Sequence, residues 1–370
     1  MTDLQGRLVL PDRVVAGTLS FDGVIRSIDE KGEASGRYIL PGFIDAHVHG
    51  GDGADTMDGV AAIRRLSRFH MAHGTTTILP TTITRPWPDV MDALRAVAEV
   101  RRDGFADGVG PAVHGAHLEG PFVSPHRLGA QPPFAIAPDP AHVRAALEVG
   151  IVRVVTLAPE LDHADTAIES FAAAGVRVSI GHTTAGFEQT EQAICRICSA
   201  GGTAGATHLF NAMGGIEGRR PGPAAALFCS DAGYAELIFD THHVHPGSFR
   251  LAHRVMGERL LFVTDAMRGA GLGDGPSQLG GQDVMIRDGV ARLPDGVLAG
   301  SVLTLDVALR NAVRAGTPVT EAAALVSGNA ARYLGLDDRG ALRPGLRADF
   351  VVMNAAFEIE EVWVEGVRRR

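Results

Sequence analysis

From about residue 40 the chain alternates between short β-branched runs and alanine- and charge-rich segments, with a spacing of about thirty residues. Eight such runs occur, at 42–50, 75–83, 112–121, 152–160, 176–184, 204–213, 235–244 and 259–267. The intervening segments carry apolar residues three and four apart, as in TMDGVAAIRRLSRFHMAHG (56–74), where Gly74 stands where a helix would end. Eight strands alternating with helices predict either a (β/α)8 barrel or an open doubly wound sheet. The polar residues favour the barrel. Almost every predicted strand ends in His, Asp or Glu, and barrel enzymes gather their chemistry at the C-terminal ends of many strands.

The two ends of the chain do not follow this period. RVVAGTLSFDGVIRSIDEKG reads as short strands around an Asp22-Gly23 turn, and ADFVVMNAAFEIEEVWVEGVRR alternates in the same way. Residues 1–40 and 336–370 are therefore expected to pair into a small β-sandwich beside a barrel of residues 41–335. A hairpin with D-G turns is expected at 282–297.

Composition narrows the function. The formal net charge of −9 opposes binding to a phosphate polymer but leaves room for a small anionic substrate in a local pocket. The 46 glycines show no G-X-Y period and suit a fold with many turns. Three cysteines are too few for a disulfide framework. No signal peptide or membrane-spanning run is recognisable, so no membrane or nucleic-acid partner is expected and the reducing cytoplasm is the default compartment.

The first barrel strand ends D-A-H-V-H-G, and in a strand His47 and His49 share one face. The third strand ends at Glu119, the fifth at His182 and the sixth at His208. Each alone is equally the mark of an ordinary structural residue. Together, one carboxylate and two imidazoles at neighbouring strand ends match the ligand set of a catalytic zinc-type site, with one position left for water. His47 and His49 could add a second metal, with Glu119 bridging. Asp265, ending the eighth strand, is placed to act as general base and then acid, or else caps a turn as a structural residue. In F-D-T-H-H-V-H, alternation lets only one of His242 and His243 face the mouth, and His243 is preferred for substrate contact. The turn N-A-M-G-G-I-E-G-R-R offers backbone N–H groups and an arginine to an anion, through Asn211, Ala212 and Arg219. Cys195 and Cys198, a C-x-x-C within a helical pattern, read as core packing, and G-A-G-L-G-D-G (269–275) as a mobile lid or rim.

These motifs in order resemble the amidohydrolase superfamily. They are P-G-F-I-D-A-H-V-H-G, H-L-E-G-P-F, G-H-T, T-H-L-F-N-A-M, V-T-D-A and L-A-G-S. Within it, H-L-E-G-P-F with T-H-L-F-N-A-M resembles the N-acetylglucosamine-6-phosphate deacetylases. The fourth strand ends T-L-A-P-E, without the lysine that dihydroorotases and ureases carboxylate. The resemblance implies hydrolysis of N-acetyl-D-glucosamine 6-phosphate to D-glucosamine 6-phosphate and acetate, in amino-sugar catabolism or cell-wall recycling. It implies Glu119, His182 and His208 as ligands of the main divalent metal, Zn²⁺ or Fe²⁺, and His47 and His49 as supports of a second. Asp265 becomes the acid/base, and Asn211, Ala212, His243 and Arg219 contact sugar and phosphate. Because the family's arginine reaches a neighbouring subunit's site, a homodimer is also implied. One departure stands out: where the family often has a carbonyl-polarising histidine, this chain has Gln131, which can donate to a carbonyl but adds no charge. Gly214-Gly215 and Ala270-Gly271 also depart from the usual rim. The alternatives are N-acetylgalactosamine 6-phosphate as substrate, a small N-acyl or cyclic amide, and a non-catalytic sugar-phosphate-binding protein.

Overall fold

The computed structural model describes residues 1–32 and 36–370; residues 33–35, within the expected N-terminal part of the end domain, lie outside the described residues. The first four strands, β1 (Thr2–Val9), β2 (Val14–Phe21), β3 (Ile25–Asp29) and β4 (Tyr38–Pro41), precede the barrel. The eight barrel strands are β5 (Phe43–Val48), β6 (Thr75–Pro80), β7 (Ala116–Glu119, preceded by the extension Ala112–Val113), β8 (Val152–Leu157), β9 (Arg177–Ile180), β10 (Ala204–Ala206), β11 (Ala235–Leu237) and β12 (Leu260–Phe262). Eight helices alternate with them: α1 (Val60–Ala72), α2 (Trp87–Asp103), α3 (Pro140–Glu148), α4 (Ala164–Ala173), α5 (Phe187–Ser199), α6 (Pro223–Cys229), α7 (Pro246–Met256) and α8 (Leu305–Arg314).

Local sequence accounts for these helices. In α1, Ile63, Leu66, Ser67, His70 and Met71 form the buried stripe, and Gly74 follows the helix with φ +96°. Pro140 opens α3, where the Asp139 carboxylate accepts the N–H groups of Ala141 and His142. The barrel strands pair in parallel, and backbone bonds bridge the places where regular pairing lapses. Thr82 N–H donates to His117 O at 3.0 Å, Ala206 N–H to Tyr234 O at 2.9 Å, and Asp265 N–H to His47 O at 2.9 Å. The last of these closes β12 onto β5. The Thr264 hydroxyl donates across the same seam to the buried Asp45 carboxylate at 2.6 Å.

The chain ends meet as expected. β16 (Phe350–Met353), β17 (Ile359–Val364) and β18 (Val367–Arg368) join the first four strands in one seven-stranded sheet, ordered β18-β17-β16-β4-β1-β2-β3. Alternate residues of β16 face opposite ways: Phe350 and Val352 enter a core with Leu8, Leu19 and Phe21, while Val351 and Met353 join the barrel core. Covered on both faces, β16 (FVVM) reads as an unbroken apolar run, whereas β1 and β2 at the outer part of the sheet alternate buried and partly exposed residues. Between β12 and α8, β13 (Gly275–Leu279), β14 (Gln282–Arg287) and β15 (Val290–Arg292) form a three-stranded sheet that packs on Ile83 and Met267 at the rim of the barrel mouth. The expected hairpin is its β14–β15 half, turning at Asp288-Gly289. Cys195 and Cys198 are free and exposed on α5, so their expected core packing is not observed.

Candidate active site

The C-terminal ends of the barrel strands converge as the sequence pattern requires. His49 follows β5, Glu119 ends β7, and His182, His208 and Asp265 stand two or three residues past β9, β10 and β12. At those last three positions the backbone turns left-handed, with φ of +47°, +31° and +48°. Left-handed non-glycine residues are uncommon and costly, and they gather at functional sites. The turn swings each side chain inward over the strand end.

Two groups of ligating atoms result. In the first, His208 Nε2 stands 3.0 Å from Glu119 Oε1 and 3.0 Å from His182 Nε2, and His182 Nε2 is 3.3 Å from Glu119 Oε1. In the second, His47 Nε2 is 3.2 Å from His49 Nε2, and His49 Nε2 lies 3.1 Å from both Glu119 Oε2 and Asp265 Oδ1. Bonds of ~2.0–2.1 Å to a tetrahedral ion put neighbouring donors ~3.3 Å apart. Both groups have that spacing, and imidazole with carboxylate suits zinc or iron. The residues therefore fit a divalent cation, and Glu119 offers one oxygen to each group.

Surrounding groups hold the ligands in place. A carbonyl can only accept, so the 2.8 Å contact of His182 Nδ1 with Arg127 O puts the proton on Nδ1 and leaves Nε2 free to ligate. Glu236 does the same for His47, with Oε2 at 2.9 Å from Nδ1 and both side chains buried. Gln131 spans Glu119 and Thr84: its Nε2 donates to Glu119 Oε2 at 2.6 Å, and its Oε1 accepts the Thr84 N–H at 2.7 Å. Gly120, next to Glu119, has φ +67°, and a Cβ there would lie 2.1 Å from the Thr84 hydroxyl. No other residue fits.

Burial alone would push the carboxylates toward neutrality and the imidazoles likewise. Mutual attraction outweighs it. Glu119 is held well below the usual carboxylate range by His47, His182 and His208, and Asp265 is lowered by His47 and His49. His47 is raised well above the usual imidazole range, and His49 is raised to about 9, by the same two carboxylates. This is the field a cation would meet. Above it opens a cavity of about 200 Å³ lined by His49, Gln131, Asn211, Ala212, His243 and Asp265 among others.

The sequence matches the Amidohydrolase family over residues 38–226 and 231–369. The chain belongs to that family. It is 37% identical over 355 residues to the N-acetylgalactosamine-6-phosphate deacetylase of Escherichia coli O157:H7, covering 93% of this chain and 92% of the relative. It is 39% identical over 329 residues to the N-acetylglucosamine-6-phosphate deacetylase of Lysinibacillus sphaericus, covering 87% and 83%. Among solved structures, a mutant N-acetyl-D-glucosamine-6-phosphate deacetylase from Mycobacterium smegmatis, in complex with N-acetyl-D-glucosamine-6-phosphate, superposes with a TM-score of 0.91 at 33% identity, covering 100% of this chain and 99% of that one. This amidohydrolase is thus an enzyme of a metal-dependent family, built on the barrel that its sequence predicts.

Of the residues named from sequence as ligands, acid/base or substrate contacts, Arg219 lies away from the mouth, exposed on the loop after β10. Gln131 lines the cavity, but the donor expected to meet a substrate carbonyl is turned onto Glu119. His243 reaches the cavity for a different reason than strand alternation, since β11 ends at Leu237. The Asp240 carboxylate accepts the N–H groups of His242 and His243 at 2.8 Å each, making a turn that leaves His242 exposed. Its second oxygen meets His243 Nδ1 at 2.6 Å and raises the imidazole against burial. Sequence reasoning missed Glu236 and Asp240. Glu236 had one signal available: a carboxylate in the middle of a buried apolar strand, Ala235-Glu236-Leu237.

Proposed function

We propose that this amidohydrolase removes acetate from N-acetyl-D-glucosamine 6-phosphate, leaving D-glucosamine 6-phosphate. The observation that carries the reading is the convergence of Glu119, His182, His208 and Asp265 beneath one cavity, in a chain whose relatives bear that activity in their names. Glu119, His182 and His208 would hold one divalent cation, Zn²⁺ or Fe²⁺, and His47 and His49 with Glu119 a second. A cation bound there supplies Lewis acidity toward the amide carbonyl and lowers the pKa of water from ~15.7 to ~7.

The chain's own residues supply the rest. Asp265, kept ionised by its imidazole neighbours, takes a proton from the attacking water as the new C–O bond forms. It returns that proton to the nitrogen as the C–N bond breaks, so acetate and the free amine leave in balance. His243, whose imidazole is oriented by Asp240 and raised by it, offers a ring N–H donor to the sugar phosphate. Asn211 and Ala212 line the same wall. Arg219, exposed and without an ion pair among the described residues, suits a phosphate in the site of a second subunit, which makes the enzyme a homodimer. The domain division at 1–40, 41–335 and 336–370, and a cytoplasmic location, complete the reading; among the described residues no helix is long and apolar enough to cross a membrane.

The 37% identity to an N-acetylgalactosamine-6-phosphate deacetylase over nearly its full length favours a second reading in which the C4 epimer is the substrate. Acetate release from both sugar phosphates and from unphosphorylated N-acetylglucosamine, with Zn²⁺ or Fe²⁺ added, decides. The proposal expects the gluco phosphate to have the highest kcat/KM. Preference for the galacto sugar moves the assignment to the second reading, and equal use of phosphorylated and free sugar removes the phosphate site.

A further inference from the structure

Gln131 lines the cavity, yet both polar atoms of its amide end on the protein rather than in the cavity. The Thr84 backbone N–H can only donate, so it must face the amide oxygen of Gln131, at 2.7 Å. That fixes the orientation of the amide: its nitrogen faces Glu119 Oε2, at 2.6 Å, in a buried position. The terminal torsion of a glutamate is broad and two-fold, so an unsupported carboxylate turns freely toward whatever cation lies nearest. Here one lone pair of Oε2 is claimed from the side. The plane of the carboxylate is thereby set, with Oε1 toward His182 and His208 and Oε2 toward His49.

We infer that Gln131 is a positioning residue that holds Glu119 as a bridge between the two ligand groups, so that it governs binding at the His47–His49 position and leaves the His182–His208 position unaffected. Without the amide, Glu119 is free to rotate and give both oxygens to the cation between His182 and His208, and the second position loses its shared ligand. The same loop serves the first position separately, because His182 is oriented by Arg127 O and not by Gln131. Gln131 therefore does not take over the charge-donating task of the family's histidine. It shapes the carboxylate on which the second ion depends.

This inference rests on the metal-dependent reading above but not on the substrate, and its test needs no turnover. Wild type, Gln131→Leu and Gln131→Glu would be dialysed against buffered free Zn²⁺, and bound metal counted by mass spectrometry. Outer-shell partners are typically worth about 10–100-fold in metal affinity. The expected result is a first equivalent bound as in wild type by both variants, which also shows that they are folded, and a second bound about 10–100-fold more weakly. Gln131→Glu, which sets a carboxylate against Glu119, is expected to show the larger loss. Two equivalents at wild-type affinity in both variants, with deacetylation lost, would assign Gln131 to the substrate and overturn the inference. Equal weakening of both equivalents would make it general support for Glu119 and overturn it too. A wild type that takes up one equivalent only would remove the bridge altogether. Failure of the deacetylase assignment alone would leave these titrations unchanged.

Discussion

Glu236 offers a graded test of how far the proposed metal centre depends on groups that would not touch the metal. Its Oε2 sits 2.9 Å from His47 Nδ1, and both side chains are buried. Removing the charge while keeping an acceptor, as in Glu236→Gln, leaves a neutral hydrogen bond that still selects the right tautomer. Removing the acceptor, as in Glu236→Leu, lets the His47 proton move to Nε2, where it occupies the lone pair that would ligate. A buried hydrogen bond to a charged group contributes about 1.5–3 kcal/mol, and about 1.4 kcal/mol is tenfold in affinity. Glu236→Gln is therefore expected to weaken the His47–His49 position about tenfold and Glu236→Leu about a hundredfold. The His182–His208 position should not change, since its orienting group is Arg127 O. Competition for Zn²⁺ with a chromophoric chelator reads both steps. Wild-type affinity for the second equivalent in Glu236→Leu would refute the argument, and so would a larger loss in Glu236→Gln than in Glu236→Leu.

Other perturbations separate the remaining roles. Asp265→Asn keeps the shape and a residue type that tolerates left-handed backbone, and is expected to lower kcat by about 10²–10⁴-fold with the His182–His208 ion retained; metal analysis beside single-turnover rates checks both halves. Arg219→Ala should raise KM for phosphorylated substrate while leaving kcat and the turnover of free sugar alone, as steady-state kinetics on the two would show. Asp306 concerns stability: burial raises its carboxyl, but bonds from His73, Thr304 and Arg310 outweigh this and bring it from 3.8 to about 2. The pair difference corresponds to about 2 kcal/mol favouring the fold. A folded pKa below the unfolded one means this contribution is complete above about pH 4 and disappears as the pH falls toward 2. Asp306→Asn should thus cost about 2 kcal/mol at pH 7 and little near pH 2, measured by urea unfolding at both.

The barrel was legible because its signal is repeated. Eight apolar runs at even spacing, each ending in a polar residue, leave few topologies. The bounds of those runs were less legible, since β10, β11 and β12 are three residues each and the runs continue as loop. Glu119, His182, His208 and Asp265 could be singled out because residue types able to ligate recur at equivalent places. What escaped was partnership across the chain. The bond from Gln131 to Glu119 crosses twelve positions and that from Glu236 to His47 crosses 189. No local pattern encodes either. His117 shows the converse, a histidine beside the centre whose two nitrogens are taken by Ala46 O and the Thr156 hydroxyl, and which is left without a chemical task.

The seven-stranded sheet places β4 between β1 and β16. On the ribosome, the opening strands emerge first and then wait for a partner encoded about three hundred residues later, an interval of ~15–60 s at ~5–20 residues per second. Throughout it one flank of β4 presents bare main-chain donors and acceptors to the cell, the condition under which strands recruit strangers. Loss of the chain from Phe350 onward would make that interval permanent, so a truncation there should yield aggregate even though every residue proposed to hold a metal had already been made.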